Sequence, residues 1–226
     1  MFDQEAYDRF LIENNVVGFY ENPIPLKSGR LSSWYVNFRS LLIGYEKVDK
    51  AAQFIYDFLR ERELKPTNVF AVPEGPREFA SAVNRILKSD LGDDVSAASL
   101  RAGYKTHGSP LDRYSVGPVF PWMKPILIED VSTTGNSSTE YVMLLQELGI
   151  SPLSVVSMLN RQEIRNDGKT VEELIKNNYG VPYIAMSDAS RVIPLAVGII
   201  NPPEFVIDGL REELTDGERY ALGIRI

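Results

Sequence analysis

The chain has 226 residues, carries a net charge of −7 and contains no cysteine. That length suffices for one α/β domain with a full core and is too short for two large enzymatic ones. The missing cysteines exclude disulfides, thiol nucleophiles and thiolate metal sites, and the acidic balance argues against nonspecific nucleic-acid binding, which needs a broad basic face.

In chain order, residues 4–13 pattern as an amphipathic helix and residues 19–37 as short strands punctuated by Pro and Gly. A helix is expected over 48–63, with Ala51, Phe54, Ile55, Phe58 and Leu59 as its apolar stripe. From there strands and helices alternate: strand 69–72 then helix 77–87, strand 95–100 then an open loop, strand 126–128 then helix 138–148, strand 153–158 then a helix near 171–177, and a last strand near 183–186. Such alternation predicts a parallel sheet covered by helices on both faces. We expect one domain over 1–226: a small N-terminal lid to about residue 65 over the carboxyl edge of the sheet, a core to about 200, and a helical tail. There is no run of 18 apolar residues, and the segment Met1 to Glu5 lacks the basic and apolar regions of a signal peptide. A soluble cytoplasmic protein without a membrane partner is therefore expected.

Residues 125–138 carry the most chemistry. An apolar strand (Ile126, Leu127, Ile128) ends in two carboxylates, Glu129 and Asp130, and then in the turn Val131-Ser132-Thr133-Thr134-Gly135-Asn136-Ser137, which enters a helix. Hydroxyls, an amide and backbone N–H groups at a helix N-terminus bind a phosphate monoester, and Gly135 lets the backbone turn tightly and approach the ligand. The two carboxylates are acceptors, suited to neighbouring sugar hydroxyls or to waters around a hard cation. Together they describe a site for ribose 5-phosphate at the strand edge where ligands of parallel sheets bind. No Gly-Lys-Ser/Thr follows the glycine, so this is not a Walker A loop.

Basic side chains fall in local groups despite the net charge: Lys27, Arg30 and Arg39; Arg101, Lys105, His107 and Arg113; Arg161 and Arg165. That grouping suits a small polyanion.

The 125–138 stretch resembles the 5-phosphoribosyl 1-pyrophosphate (PRPP) signature of type I phosphoribosyltransferases. Three further segments are similar to orotate phosphoribosyltransferases in particular: Leu26-Lys27-Ser28-Gly29-Arg30 followed by Trp34-Tyr35 and Asn37; the loop from Leu100 to Arg113 with Arg101, Lys105 and His107; and Asn160-Arg161-Gln162-Glu163. A weaker match, Ala71 to Arg77, lies where the family has its pyrophosphate loop. The resemblance runs from about Phe10 to Glu163, in order and at the family's spacing. It departs at Ala102, where a second loop Lys is common, at Asn160 in place of Asp, and at Glu74, where some members carry Lys.

The resemblance implies transfer of phosphoribose from PRPP to orotate, with Mg²⁺ as cofactor. Lys27, Glu129, Asp130 and residues 131–137 would bind PRPP. Trp34, Tyr35, Thr133 and Arg161 would bind orotate, and Arg101, Lys105, His107 and Asp130 would be catalytic. The metal would be held mainly by PRPP, with no dedicated protein ligand set beyond Glu129 or Asp130 through water. A homodimer sharing the 100–113 loop across its interface is implied, and nucleic acid is not a partner. The alternatives are a transferase for another base and a non-catalytic PRPP-binding regulator; retention of Arg101, Lys105 and His107 argues against the second.

Overall fold

The computed structural model describes the whole chain except residues 27, 28, 93, 94, 108–112, 218, 221–223 and 225, and the side chain at 91. The sheet that positions the site has four parallel strands in the order β3-β6-β7-β8, formed by β3 (Val69–Ala71), β6 (Ile126–Ser132), β7 (Ser154–Asn160) and β8 (Tyr183–Ala185). Its strands are mostly apolar, as expected for a sheet buried on both faces. Successive residues feed opposite cores: Ile126 and Ile128 pack with the N- and C-terminal segments, whereas Leu127 packs toward α4 (Asn136–Glu147) and α5 (Val171–Tyr179). Each fully buried Ile or Leu contributes about 1.5–3 kcal/mol.

On the first face lie α2 (Tyr45–Glu61) and α3 (Arg77–Leu91), which pack on each other. The apolar stripe expected for α2 is buried: Ala51, Phe54, Ile55, Phe58 and Leu59 all enter the core. Before α2, α1 (Gln4–Glu13) is capped by the Asp3 side chain, which accepts from the Ala6 N–H, and is tied to the sheet where the Tyr7 hydroxyl donates to the carbonyl of Met158 at 3.0 Å.

The antiparallel hairpin β1 (Val17–Pro25) and β2 (Leu31–Val36) leads into a 3₁₀ helix (Phe38–Ile43) whose first residues are capped by Asn37. C-terminal helices complete this layer: α6 (Ala189–Ile200) packs on α1, and α7 (Glu204–Leu214) packs on β1 and β2. The N-terminal segment expected to form a lid thus packs with C-terminal helices.

Two sequence expectations change. The stretch 95–100 does not add a strand to the parallel sheet; only β4 (Ser99–Leu100) is extended, pairing antiparallel with β5 (Ser115–Val116) to close the base of the loop. Ser96, Ala97, Ala98 and Ser99 have little β-propensity, which leaves too short a segment to join the sheet. Strand β6 is longer than expected, so Glu129 and Asp130 lie within its last rungs rather than beyond them. Val131 and Ser132 still pair with Leu159 and Asn160.

Candidate active site

Strand β6 and helix α4 meet at the turn expected to bind a phosphate. Between them Gly135 adopts the left-handed conformation at φ +73° and serves as N-cap of α4, so the Thr133-Thr134-Gly135-Asn136-Ser137 turn wraps the start of the helix. A side chain at 135 would be strained by that φ and would place its Cβ 2.8 Å from Val171 Cγ1. Arg165 braces the turn from behind: its Nη1 donates to the carbonyl of Thr134 and, at 3.0 Å, to Asn136 Oδ1. The sequence placed Arg165 in a basic cluster without giving it this role; only the fold brings it to the turn.

The two carboxylates differ. Glu129 is buried, and its Oε2 accepts from the hydroxyls of Ser132 at 2.6 Å and Ser138 at 2.7 Å, which fixes the side chain between the strand and the helix. Asp130 is half-buried and reaches into the cleft. The turn after β3 presses against it: a Cβ on Gly75 would lie 2.1 Å from Asp130 Oδ2, so glycine alone permits this approach.

One cleft gathers Glu129, Asp130, Val131, Thr133 to Ser137 and Arg161 with Tyr35, Val36, Asn37, Phe38 and Arg39 from the hairpin layer. It therefore combines a polar wall at the head of α4 with aromatic, apolar and cationic side chains of the hairpin layer, groups that suit a sugar phosphate bearing a planar base.

Arg161 lines the cleft and is also the centre of a buried network. It is 1% exposed, and its guanidinium packs 3.8 Å over the Trp34 ring. Its Nε donates to Glu163 Oε1 at 2.7 Å, Nη2 donates to Ser32 Oγ at 2.8 Å and lies 3.6 Å from Glu213 Oε1, and Nη1 donates to the Trp34 carbonyl at 3.3 Å. Arg219 bridges the same two carboxylates at 3.1 and 3.0 Å, and Arg30 reaches Glu163 Oε2 at 3.2 Å. Three guanidiniums thus surround two carboxylates in a buried network that links β2, the end of β7 and α7. Burial by itself would raise the Glu163 carboxyl, but the neighbouring Arg161 and Arg219 outweigh it and hold the group below the usual glutamate range.

Trp34, expected beside the base, is fully buried and does not line the cleft; Tyr35, half-buried and edge-on to Tyr20, does. The alternation of β2 decides this, since adjacent residues of a strand face opposite sides.

The 100–113 loop is anchored at its base. Arg101 N–H donates to the Tyr114 carbonyl, Lys105 N–H to that of Arg113, and the Tyr141 hydroxyl of α4 donates to the Arg101 carbonyl at 2.8 Å. Arg101, Lys105 and His107 are absent from the lining of the cleft of their own chain. Lys27, with residues 108–112, lies outside the described residues. Among the described residues no group of three or more His, Cys, Asp or Glu side chains could hold a metal ion, and no helix is long and apolar enough to cross a membrane.

No family model matches the chain. Among solved structures, orotate phosphoribosyltransferase of Francisella tularensis superposes with a TM-score of 0.68 at 22% identity, over 92% of this chain and 96% of that one. Adenine phosphoribosyltransferase of Leishmania donovani gives 0.56 at 16% identity, over 83% and 82%. The chain has the type I phosphoribosyltransferase fold. Curated relatives by sequence are orotate phosphoribosyltransferases: that of Rhodopseudomonas palustris is 28% identical over 147 residues, 64% of this chain and 77% of that protein, and that of Hahella chejuensis is 25% identical over 190 residues, 84% and 86%. The resemblance carried by the 125–138 stretch and its three companion segments agrees with these relatives. In this phosphoribosyltransferase fold the phosphate turn, Asp130 and the Gly75 turn meet at the carboxyl edge of β3 and β6, where the topology of parallel sheets places ligands.

The Glu163 network gives a pH prediction. Because its folded-state pKa is depressed, Glu163 adds stability at pH above the ordinary glutamate value, and that stability disappears as pH falls through the lowered value. Glu163→Gln should cost about 3–5 kcal/mol near neutrality, since Arg161 and Arg219 are left buried with less opposing charge. Its stability should also vary less than wild type between pH 7 and about pH 3. Denaturant melts across that range test this; parallel curves for the two proteins would remove the linkage.

Proposed function

We propose that this protein transfers the 5-phosphoribosyl group of PRPP to orotate, forming orotidine 5-monophosphate and releasing pyrophosphate. The observation that carries this reading is the hydroxyl- and Gly-rich turn at the head of α4, which lines one cleft together with Glu129, Asp130 and Tyr35. The backbone N–H groups and hydroxyls of residues 133–137 hold the 5-phosphate, and Asp130 with Glu129 orients the ribose hydroxyls. A ring nitrogen of orotate forms a bond to the anomeric carbon as the bond to pyrophosphate breaks. Orotate loses that nitrogen's proton readily, so no dedicated general base is required.

The donor set fits Mg²⁺ in one manner. Glu129 and Asp130 supply hard oxygens at the cleft, but no larger carboxylate cluster exists among the described residues, so substrate oxygens must complete the coordination. When bound, Mg²⁺ neutralises charge on the pyrophosphate and ribose oxygens. Arg101, Lys105 and His107 stabilise the leaving group once the loop closes over an active site, excluding water that would hydrolyse PRPP. Their position away from their own chain's cleft supports a homodimer in which each loop serves the partner's site.

The test is PRPP-dependent consumption of orotate with Mg²⁺, run beside uracil and purine bases. Consumption of orotate alone supports the reading; use of another base with orotate untouched would replace the substrate while retaining the transferase.

A further inference from the structure

The cleft contains two arginines with opposite circumstances. Arg161 has five N–H groups; hydrogen bonds to buried partners engage Nε, one hydrogen of Nη2 and one hydrogen of Nη1, and Nη2 also stands 3.6 Å from Glu213 Oε1 as an ion pair. Glu163 and Glu213 already offset the charge of this guanidinium, so a carboxylate approaching Arg161 gains less from it than from a cation that no carboxylate pairs. A planar carboxylate in this cleft therefore gains from a second cation.

Arg39 is placed to provide it. It follows Phe38 in the 3₁₀ helix, its backbone N–H donating to the Asn37 side chain at 3.2 Å, and it lines the same cleft as Arg161. Its side chain is exposed and, among the described residues, makes no hydrogen bond, ion pair or ring contact. The phosphate turn stands on the polar wall with its own N–H donors, whereas Arg39 belongs to the wall formed by Tyr35, Val36 and Phe38, against which an aromatic base packs. A guanidinium there meets an anionic substituent of the base rather than the 5-phosphate.

We propose that Arg39 is a specificity-determining residue that donates to the carboxylate of the substrate base, sharing it with Arg161. This rests on the orotate reading above. The two arginines then differ in what they do: Arg161 is a buried cation already paired with carboxylates, and Arg39 is the adaptable one.

The experiment is steady-state kinetics of Arg39→Ala and Arg39→Lys with orotate and PRPP varied independently, alongside thermal melts. Because Arg39 has no intramolecular partner among the described residues, both variants should melt with wild type. Arg39→Ala should raise the orotate KM on the order of 10- to 100-fold, the range for a lost hydrogen bond between charged groups, with the PRPP KM within about twofold of wild type. Arg39→Lys, which keeps the charge without the planar fork, should recover part of the loss. An unchanged orotate KM in Arg39→Ala, or a rise confined to PRPP, would overturn the assignment while wild-type turnover of orotate leaves the transferase reading intact. Wild type that does not consume orotate would instead overturn the functional reading, and this assignment with it.

Discussion

Asp130→Asn should fold normally and lose most of its affinity for Mg²⁺-PRPP. The residue is half-buried at the end of β6, facing the cleft, so the isosteric amide leaves the sheet undisturbed. What it loses is charge at the point where ribose hydroxyls and cation-bound waters must be accepted. A hydrogen bond to a charged group is worth about 1.5–3 kcal/mol, so the Kd should rise on the order of 10- to 100-fold. Turnover should fall further, because the carboxylate also opposes the positive charge that develops on the sugar. Glu129→Gln should differ in kind: the Ser132 and Ser138 hydroxyls both donate to Oε2, so an amide there disturbs a buried arrangement and lowers the melting temperature as well as affinity. Calorimetric titration with Mg²⁺-PRPP, paired with thermal melts, separates the two. Unchanged affinity in both variants would sink the assignment of the ribose site.

Mixing two inactive variants should restore activity. Lys105→Ala lacks its pyrophosphate clamp and Asp130→Asn its ribose anchor, and each alone should turn over orotate at a small fraction of the wild-type rate. If the 100–113 loop serves the partner's site, a heterodimer collects both defects in one site and leaves the other whole. Complete subunit exchange of equal amounts makes about half of the dimers heterodimers with one good site each, and turnover should approach roughly a quarter of the wild-type rate. A loop that closes over its own cleft leaves a defect in every site, and mixing restores nothing. The motivating geometry is that the loop base is pinned to α4 through Tyr141 while Arg101, Lys105 and His107 lie away from the cleft. Verified heterodimers without recovered turnover would refute the shared loop and leave the reaction untouched.

Much of the catalytic edge was legible in the chain because its signals are local. The apolar run of β6, the carboxylate pair and the hydroxyl- and Gly-rich turn are contiguous, and the φ of +73° at Gly135 is the conformation glycine favours there. The helical stripe of α2 was equally plain. Less legible was α6, whose Pro194 and Gly198 obscure a helical pattern; it forms because Ala189, Val192, Ile193 and Ala196 are buried against the core, and packing outweighs propensity.

Charge and hydroxyl placement along residues 125–138 determined the expectation of a phosphate site, since a phosphate needs only one strand end and one helix start. The base end was decided by tertiary structure. Arg161 and Trp34 look alike as exposed or buried residues in a linear reading; they are drawn inward because Glu163, Arg219 and Glu213, the last 52 positions away from Arg161 in the chain numbering, close around them when α7 docks on the hairpin. Ion pairs across such separations have no sequence signature. Which cations face a ligand and which hold the scaffold therefore depends on which carboxylates folding brings beside them.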